Sequence, residues 1–158
     1  MNGKKSLKNT PKPHSLLIIK EIFMERTFVF IKPDGVKANI VGRVLSRFEK
    51  AGLRLAAITS ARPSRGQVED HYAEHKGRDF HEPLVEFTLS GNIVLMILEG
   101  EDAVNVVRKM IGATNPKDAG KGTIRVDFGT GIPNNIIHAS DSVESANRES
   151  EMWLRFFM

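Results

Sequence analysis

Residues 93–98, Ile-Val-Leu-Met-Ile-Leu (IVLMIL), form an unbroken apolar run between Gly91 and Gly100. A short continuous run of this kind predicts a strand buried in the centre of a sheet. Residues 26–32 (RTFVFIK) are rich in β-branched and aromatic side chains and stop at Pro33-Asp34-Gly35, which predicts another strand. Residues 53–61 predict a third strand, and residues 135–138 predict a short last one.

Helices are predicted between these strands by periodicity and by capping residues. The apolar residues Val41, Val44, Leu45 and Phe48 have helical spacing, and Gly52 lies where a glycine ends a helix. Residues 64–67 have capping-box spacing for a helix that runs to about residue 75.

The second half of the chain repeats this alternation. Acidic residues at 101–102, basic residues at 108–109 and a glycine at 112 mark a helix. A loop runs to about residue 134, and Asp141 with Glu144 opens a terminal helix. The order β-α-β, extra helices, β-α-β predicts an α/β (α+β) domain. Its type is the ferredoxin-like split βαβ sandwich, with a four-stranded antiparallel sheet covered by helices.

The composition fits one globular domain. The chain has 158 residues, of which 41% are hydrophobic and 27% are charged. It has no cysteine, which excludes disulfides and thiolate metal sites and favours an intracellular setting. No apolar run approaches the roughly 20 residues that a membrane-spanning helix needs.

The net charge of +4 lies entirely in residues 1–23, which contain five lysines and one glutamate, while the rest has 18 basic and 18 acidic residues. A broad basic face for nucleic acid is therefore not expected. The segment contains two prolines and an LLII stretch that is too short for a signal peptide. We expect residues 1–23 to be a dispensable, disordered basic extension, residues 24–158 to be the domain, and Met24 to be an internal start. Export or organelle targeting is the alternative.

Two common nucleotide-binding signatures are missing. Residues 115–122 (NPKDAGKG) lack the first glycine and the final Ser/Thr of a P-loop, and no GxGxxG follows a strand. A bound nucleotide would therefore not rest on a glycine-rich loop at a helix N-terminus.

His138 ends an apolar strand, where its ring would be held rigidly at a sheet edge. Imidazole is a good nucleophile near neutral pH because its ordinary pKa is about 6.5. Ser140 and Asp141 also suggest a hydrolase triad, but such triads are assembled from distant segments and no Gly-x-Ser-x-Gly is present. Alone, a histidine here is more often structural.

Cationic and polar residues occupy other element ends and loops, where ligand groups commonly lie. They are Lys32, Arg108, Thr114, Arg125 and Asn135. Arginine and lysine suit phosphate oxygens, although each of these residues alone is more often a surface group.

In order and context these residues resemble the nucleoside diphosphate kinase family, from residue 25 to the C-terminal region without an evident gap. The stretches that carry the resemblance are ERTFVFIKPDGV, GRVLSRFEKAGL, LVEFTLSG, VRKMIGATNP, GTIRVDF and NNIIHASDSVESANRE. The IKPDG and NIIH-x-SDS segments are the most specific.

The resemblance implies that the terminal phosphate of a nucleoside triphosphate passes to a nucleoside diphosphate through phosphorylated His138, in a ping-pong cycle. Glu149 would orient the imidazole, with Ser140 as its hydrogen-bond partner. Asp141 would meet the nucleotide's Mg²⁺ through water. The implied nucleotide contacts are Lys32, Tyr72, Arg108, Thr114, Arg125 and Asn135 for phosphates and ribose, and Phe80 with Leu84 for the base. Stacking on a ring rather than contacting base edges implies broad base tolerance.

The family further implies ATP and other nucleoside di- and triphosphates as partners, a cytoplasmic location, and a homo-oligomer for which a hexamer is favoured over a tetramer. The end of the chain soon after Trp153 is typical of bacterial members. No membrane or nucleic-acid partner is expected.

The chain departs from the family pattern in three places. Ala139 replaces the glycine after the histidine, Lys121 replaces a proline, and residues 78–81 (RDFH) replace Arg-Pro-Phe-Phe. The last change bears on how rigidly Phe80 is held against the base.

Two rival hypotheses remain. Residues 71–75 (HYAEH) match the H-x-x-E-H motif of zinc enzymes, without an apparent third ligand. A binding module that keeps the fold without the activity is supported only by the basic extension.

Overall fold

The computed structural model describes residues 24–158, so the predictions for residues 1–23 lie outside the described residues. Its four strands are β1 (Glu25–Ile31), β2 (Arg54–Ala61), β3 (Ile93–Gly100) and β4 (Ile137–Ala139). They form one sheet in the order β2-β3-β1-β4, and every neighbouring pair is antiparallel. This is the predicted split βαβ arrangement, and the sequence-based fold is confirmed.

Seven helices connect or follow these strands in the described part of the chain. They are α1 (Pro33–Lys37), α2 (Val41–Lys50), α3 (Arg65–His71), α4 (His81–Leu89), α5 (Ala103–Ile111), α6 (Ile124–Phe128) and α7 (Val143–Trp153). Short 3₁₀ turns lie at Ala73–His75, Pro116–Asp118 and Leu154–Phe156. None of the helices between residues 24 and 158 is long and apolar enough to cross a membrane.

The two faces of the sheet carry separate hydrophobic cores. On one face, Val29 of β1 and its partner Met96 of β3 pack with residues of α2 and α5. On the other face, Phe30 and its partner Leu95 pack with residues of α3, α4 and α7. Because helices cover both faces, β1 and β3 are buried throughout their centres, which explains why IVLMIL does not alternate.

Several predicted boundaries differ from the structure. The capping box of residues 64–67 is present, but α3 ends at His71 and a 3₁₀ turn follows. The terminal helix is capped by Ser142, whose Oγ accepts from the Ser145 N–H, and not by Asp141. The loop before β4 contains α6, which the sequence analysis missed because five residues are too few to show a helical period.

The antiparallel pairing of β1 with β4 brings distant segments together. Phe30 pairs with His138, so Lys32 after β1 lies near the residues that precede β4. Helix α7 packs along β1, and α5 contacts both β1 and β4. The fold thus gathers the end of β1, β4, α5, α6 and α7 around His138.

Candidate active site

His138 lies in β4 with its ring between aromatic neighbours. The ring stacks on Phe30, with 5.1 Å between centroids, and His71 contacts it edge-on at 4.4 Å. Its side chain is 21% exposed, on the side that lines a cavity. These contacts fix the plane of the imidazole.

A carboxylate from α7 holds one ring nitrogen of His138. His138 Nε2 lies 3.0 Å from Glu149 Oε2, and the Ser140 hydroxyl donates to the same oxygen at 2.5 Å. Burial raises the pKa of Glu149, while His71 and the Ser140 hydrogen bond oppose this rise. With the carboxylate ionised, the ring proton resides on Nε2, so Nδ1 carries the free lone pair.

The protonation state of His138 suits a nucleophile. Burial, followed by the charges of Lys32, Arg125 and Arg108, lowers the pKa of His138 to about 3. The ring is therefore neutral at physiological pH, and its lone pair is available.

Lys32 and Asn135 form one wall of the cavity. Lys32 Nζ donates to Asn135 Oδ1 at 2.8 Å, and Asn135 Nδ2 donates to the Thr114 carbonyl at 2.8 Å. Burial and then the charge of Arg125 lower the pKa of Lys32 to about 8, against the opposing effect of Asp34.

Arg125 and Arg108 supply two further positive charges. Arg125 donates to the carbonyls of Gly112 and Ile137 at 2.9 and 2.8 Å. Burial and the neighbouring Arg108 lower the pKa of Arg125 to about 10. Because Arg108 lowers the pKa of Arg125, and Arg125 lowers that of Lys32, an anion bound between these groups would relieve their repulsion.

Some polar atoms of this wall have no partner within residues 24–158. Tyr72 Oη and Arg125 Nε are buried without a hydrogen bond. Buried polar groups are normally paired, so these two atoms are exceptions among the buried polar groups beside the cavity.

The other end of the cavity is apolar and open. Phe80 is 45% exposed and Ile132 is 61% exposed, and both line the cavity with Leu84. The His75 ring meets the Phe80 ring edge-on at 5.2 Å. The whole cavity has a volume of about 530 Å³, enough for a ligand of nucleotide size.

The family follows from comparison with known proteins. A model of the nucleoside diphosphate kinase family matches residues 25–157. The chain belongs to this family. It is 50% identical over 131 residues to the nucleoside diphosphate kinase of Methanocaldococcus jannaschii, covering 83% of this chain and 94% of that protein. It is 52% identical over 130 residues to that of Synechococcus elongatus, covering 82% of this chain and 87% of the relative.

Solved structures agree with the sequence comparison. The crystal structure of the Encephalitozoon cuniculi nucleoside diphosphate kinase superimposes with a TM-score of 0.81 at 45% identity, over 82% of this chain and 88% of that one. The Aquifex aeolicus nucleoside diphosphate kinase has a TM-score of 0.79 at 39% identity, over 82% of this chain and 94% of that one. The resemblance inferred from the motifs is confirmed.

The structure brings together all the residues that the family resemblance pointed to. Eleven of them line the cavity: Lys32, Tyr72, Phe80, Leu84, Arg108, Thr114, Arg125, Asn135, His138, Asp141 and Glu149. Ser140 lies behind Glu149, fully buried. Their assembly in one place is a finding about geometry, and their roles in the reaction remain predictions.

Sequence reasoning missed other lining residues, among them Glu74, His75, Pro83 and Ile132. Ile132 lies in an irregular loop, where no periodicity marks an apolar residue as part of a site. The exposure of so large an apolar side chain becomes visible only in the folded chain.

The H-x-x-E-H hypothesis is not supported. His71 ends α3 and is buried, with Nδ1 accepting from Trp153 Nε1 at 3.2 Å, while His75 lies in the following 3₁₀ turn against Phe80. Among residues 24–158, the group with ligand spacing is instead His71, His138 and Glu149. The Trp153 bond occupies one nitrogen of His71 and places its proton on the other, which disfavours a metal there.

Proposed function

We propose that the nucleoside diphosphate kinase activity of this family member runs through a phosphohistidine at His138, with Nδ1 as the attacking atom. The observation that carries this proposal is the contact of Nε2 with Glu149, since it leaves Nδ1 as the free nitrogen. The depressed pKa of His138 supports it as well, because the ring is neutral without a general base.

The reaction would proceed in two balanced halves. The Nδ1 lone pair attacks the γ-phosphorus of a nucleoside triphosphate, the bond from phosphorus to the bridging oxygen breaks, and the nucleoside diphosphate leaves with that electron pair. A terminal oxygen of the second nucleoside diphosphate then attacks the phosphorus, and the N–P bond breaks. The electron pair of that bond returns to Nδ1, and throughout both halves the ring proton stays on Nε2, hydrogen-bonded to Glu149.

The cations would stabilise the transferred phosphoryl group. Lys32, Arg108 and Arg125 converge on the cavity beside His138 and are held there before a ligand binds. In-line phosphoryl transfer depends on such positioned charges more than on covalent chemistry.

The open end of the cavity suits a base of any identity. Phe80 offers a ring face and Ile132 and Leu84 offer apolar contact, none of which distinguishes the edges of one base from another. Broad base tolerance is therefore part of this proposal.

Magnesium would arrive with the nucleotide as part of the substrate. Asp141 and Glu74 both line the cavity, and carboxylate oxygens are the donors that Mg²⁺ prefers. A hydrogen bond from Ser145 lowers the pKa of Asp141, so its carboxylate stays ionised. Bound Mg²⁺ supplies charge neutralisation on the phosphates.

We also infer a cytoplasmic homo-oligomer, with a hexamer favoured over a tetramer. Within residues 24–158, β2 pairs with a neighbouring strand along one edge only, and this edge and the 44% exposure of Ile58 on β2 support self-association. Light scattering on the purified protein tests the number of subunits. Residues 1–23 are proposed to be dispensable, so their deletion should leave activity and Tm unchanged.

The substitution His138→Ala tests the phosphohistidine. We expect it to abolish both nucleotide-to-nucleotide transfer and the acid-labile, base-stable label that ATP leaves on the wild type. Transfer at a comparable rate in the variant would mean a direct reaction or another nucleophile.

A further inference from the structure

The segment Pro33-Asp34-Gly35, which follows the end of β1, contacts the residue two positions before His138. Ile136 N–H donates to Asp34 Oδ2 at 3.1 Å, and the Lys32 N–H donates to the Ile136 carbonyl at 2.7 Å. Both main-chain polar groups of Ile136 are therefore held, the carbonyl by Lys32 and the N–H by Asp34.

Gly35 closes the third side of the same contact. A Cβ at this position would lie 2.6 Å from Ile31 Cγ2 and 3.2 Å from Ile136 Cγ2. A side chain at residue 35 would displace Ile31 and crowd Ile136, so glycine lets α1 lie against both residues.

Ile136 has a conformation that a β-branched residue rarely adopts. Its φ is +75°, and the Ile137 N–H donates to the Asn135 carbonyl at 2.9 Å, which closes a γ-turn around it. A γ-turn with positive φ is rare and strained, and it persists only where surrounding contacts impose it. The contacts of Ile136 with Lys32, Asp34 and Gly35 are such constraints.

This γ-turn determines the positions of groups on both sides of it. Asn135, on one side, accepts from Lys32 Nζ. The Ile137 carbonyl, on the other side, accepts a hydrogen bond from Arg125, and Ile137 begins the strand that carries His138. A change in the turn would move the lysine partner, the arginine partner and the histidine together.

Asp34 also acts on Lys32 through its charge. Lys32 is faced by Asp34 from α1, by Arg125 from α6, and by Asn135 and the neutral His138 from the β4 segment. Asp34 is the negative group among these, and it opposes the loss of the lysine proton that burial and Arg125 favour.

We propose that Asp34 is a positioning residue for the reaction: its oxygen holds the Asn135–Ile137 γ-turn, and its negative charge faces the Lys32 ammonium. This inference rests on the proposed function, because its effect is measured through the phosphorylation of His138.

The test compares the wild type with Asp34→Ala, Asp34→Asn and a matched control, Glu25→Ala. The control removes a bond of the same type, since Glu25 Oε1 accepts from the Val104 N–H at 2.7 Å, far along the chain from His138. The measurements are Tm and the single-turnover rate of label transfer from ATP to the protein, over a range of pH.

Asp34→Ala should label about 100-fold more slowly per folded molecule, the loss expected when reacting groups are displaced by about 1 Å. Glu25→Ala should lower Tm and label at the wild-type rate. Asp34→Asn keeps an oxygen acceptor, so it should restore labelling near neutral pH, with the alkaline fall in rate shifted to lower pH than in the wild type.

Labelling of Asp34→Ala at the rate of Glu25→Ala would overturn the inference. If Asp34→Ala does not fold, Asp34→Asn decides the question. If its labelling rate falls at the same alkaline pH as that of the wild type, the inference is overturned. If the rate falls at a lower pH, the inference is supported. Absence of label from the wild type would contradict the proposed function itself, and the positioning role with it.

Discussion

The two ends of the cavity are built in opposite ways. At the end that we propose binds the phosphates (the phosphate end), Lys32 and Arg125 are buried and already bonded to Asn135 and to main-chain carbonyls. At the end that we propose binds the base (the base end), Phe80 and Ile132 are 45% and 61% exposed and present apolar surface to solvent. One end is fixed before a ligand arrives, and the other is left open.

This difference matches two separate requirements, one for contacts with the phosphoryl group and one for contacts with the base. The phosphoryl group is the same in every substrate, so its contacts can be fixed in the protein, and preorganised charges act without reorganisation during reaction. The base differs between substrates, so a ring face that ignores its edges is the better contact. The account therefore predicts that changes at the phosphate end affect chemistry, and that changes at the base end affect binding uniformly.

The largest effect should follow removal of a cation from the phosphate end. Lys32→Ala should lose about 2–4 kcal/mol of transition-state stabilisation, or roughly 30- to 1,000-fold in kcat/KM. Steady-state kinetics with several nucleoside diphosphates measures it. The exposed Arg65, which pairs with Glu82 away from the cavity, gives the control Arg65→Ala. A loss no larger than in this control would contradict a fixed phosphate end.

A smaller loss is expected at the carboxylate that holds the histidine. Glu149→Ala removes a hydrogen bond to a charged group, typically about 1.5–3 kcal/mol, so labelling should slow roughly 10- to 160-fold while the label stays detectable. Complete loss of label in a folded variant would mean that Glu149 does more than orient the ring.

The base end should respond more evenly. Phe80→Ala should weaken every nucleotide by about 1–3 kcal/mol of lost stacking, with little change from base to base. Binding titrations with adenine, guanine, cytosine and uracil nucleotides measure this. Strong selectivity in the loss would show that base edges are contacted, and the contrast between the two ends would fail.

The smallest effect is on pH dependence. The pKa of Lys32 is about 8 in the folded protein against an ordinary value of 10.5, so kcat/KM should fall as pH rises past about 8. Stability should change in the opposite direction. Between these two pKa values the unfolded chain binds more protons, so the contribution of Lys32 to the free energy of unfolding rises with pH. Lys32→Met should remove this rise in pH-dependent denaturant unfolding.

The sequence predicted the sheet well because its strands carry strong local signals. IVLMIL and RTFVFIK became β3 and β1, the two interior strands, and the capping box at residues 64–67 marked the start of α3. The predicted start of the terminal helix was one residue too early. Asp141 and Ser142 are both good N-cap residues, and only the geometry distinguishes them.

The sequence identified the main residues of the candidate site, but not the contacts and backbone conformation that position them. His138, Lys32 and Arg125 were found because a known family places them in specific motifs. Ile132 and the γ-turn at Ile136 were not, because neither exposure in a loop nor a positive φ at a β-branched residue leaves a mark in the sequence. Contacts that join segments about one hundred positions apart, such as Asp34 with Ile136, arise only from the sheet topology.

The most direct test of the account is to locate the phosphate on the wild-type protein. After brief incubation with ATP and Mg²⁺, mass spectrometry identifies the modified residue, and phosphorus–proton correlation NMR distinguishes the two ring nitrogens. Because Nε2 is held by Glu149 at 3.0 Å, we predict a single phosphate on Nδ1 of His138. Phosphate on Nε2 of His138, or on any other residue, would contradict the account.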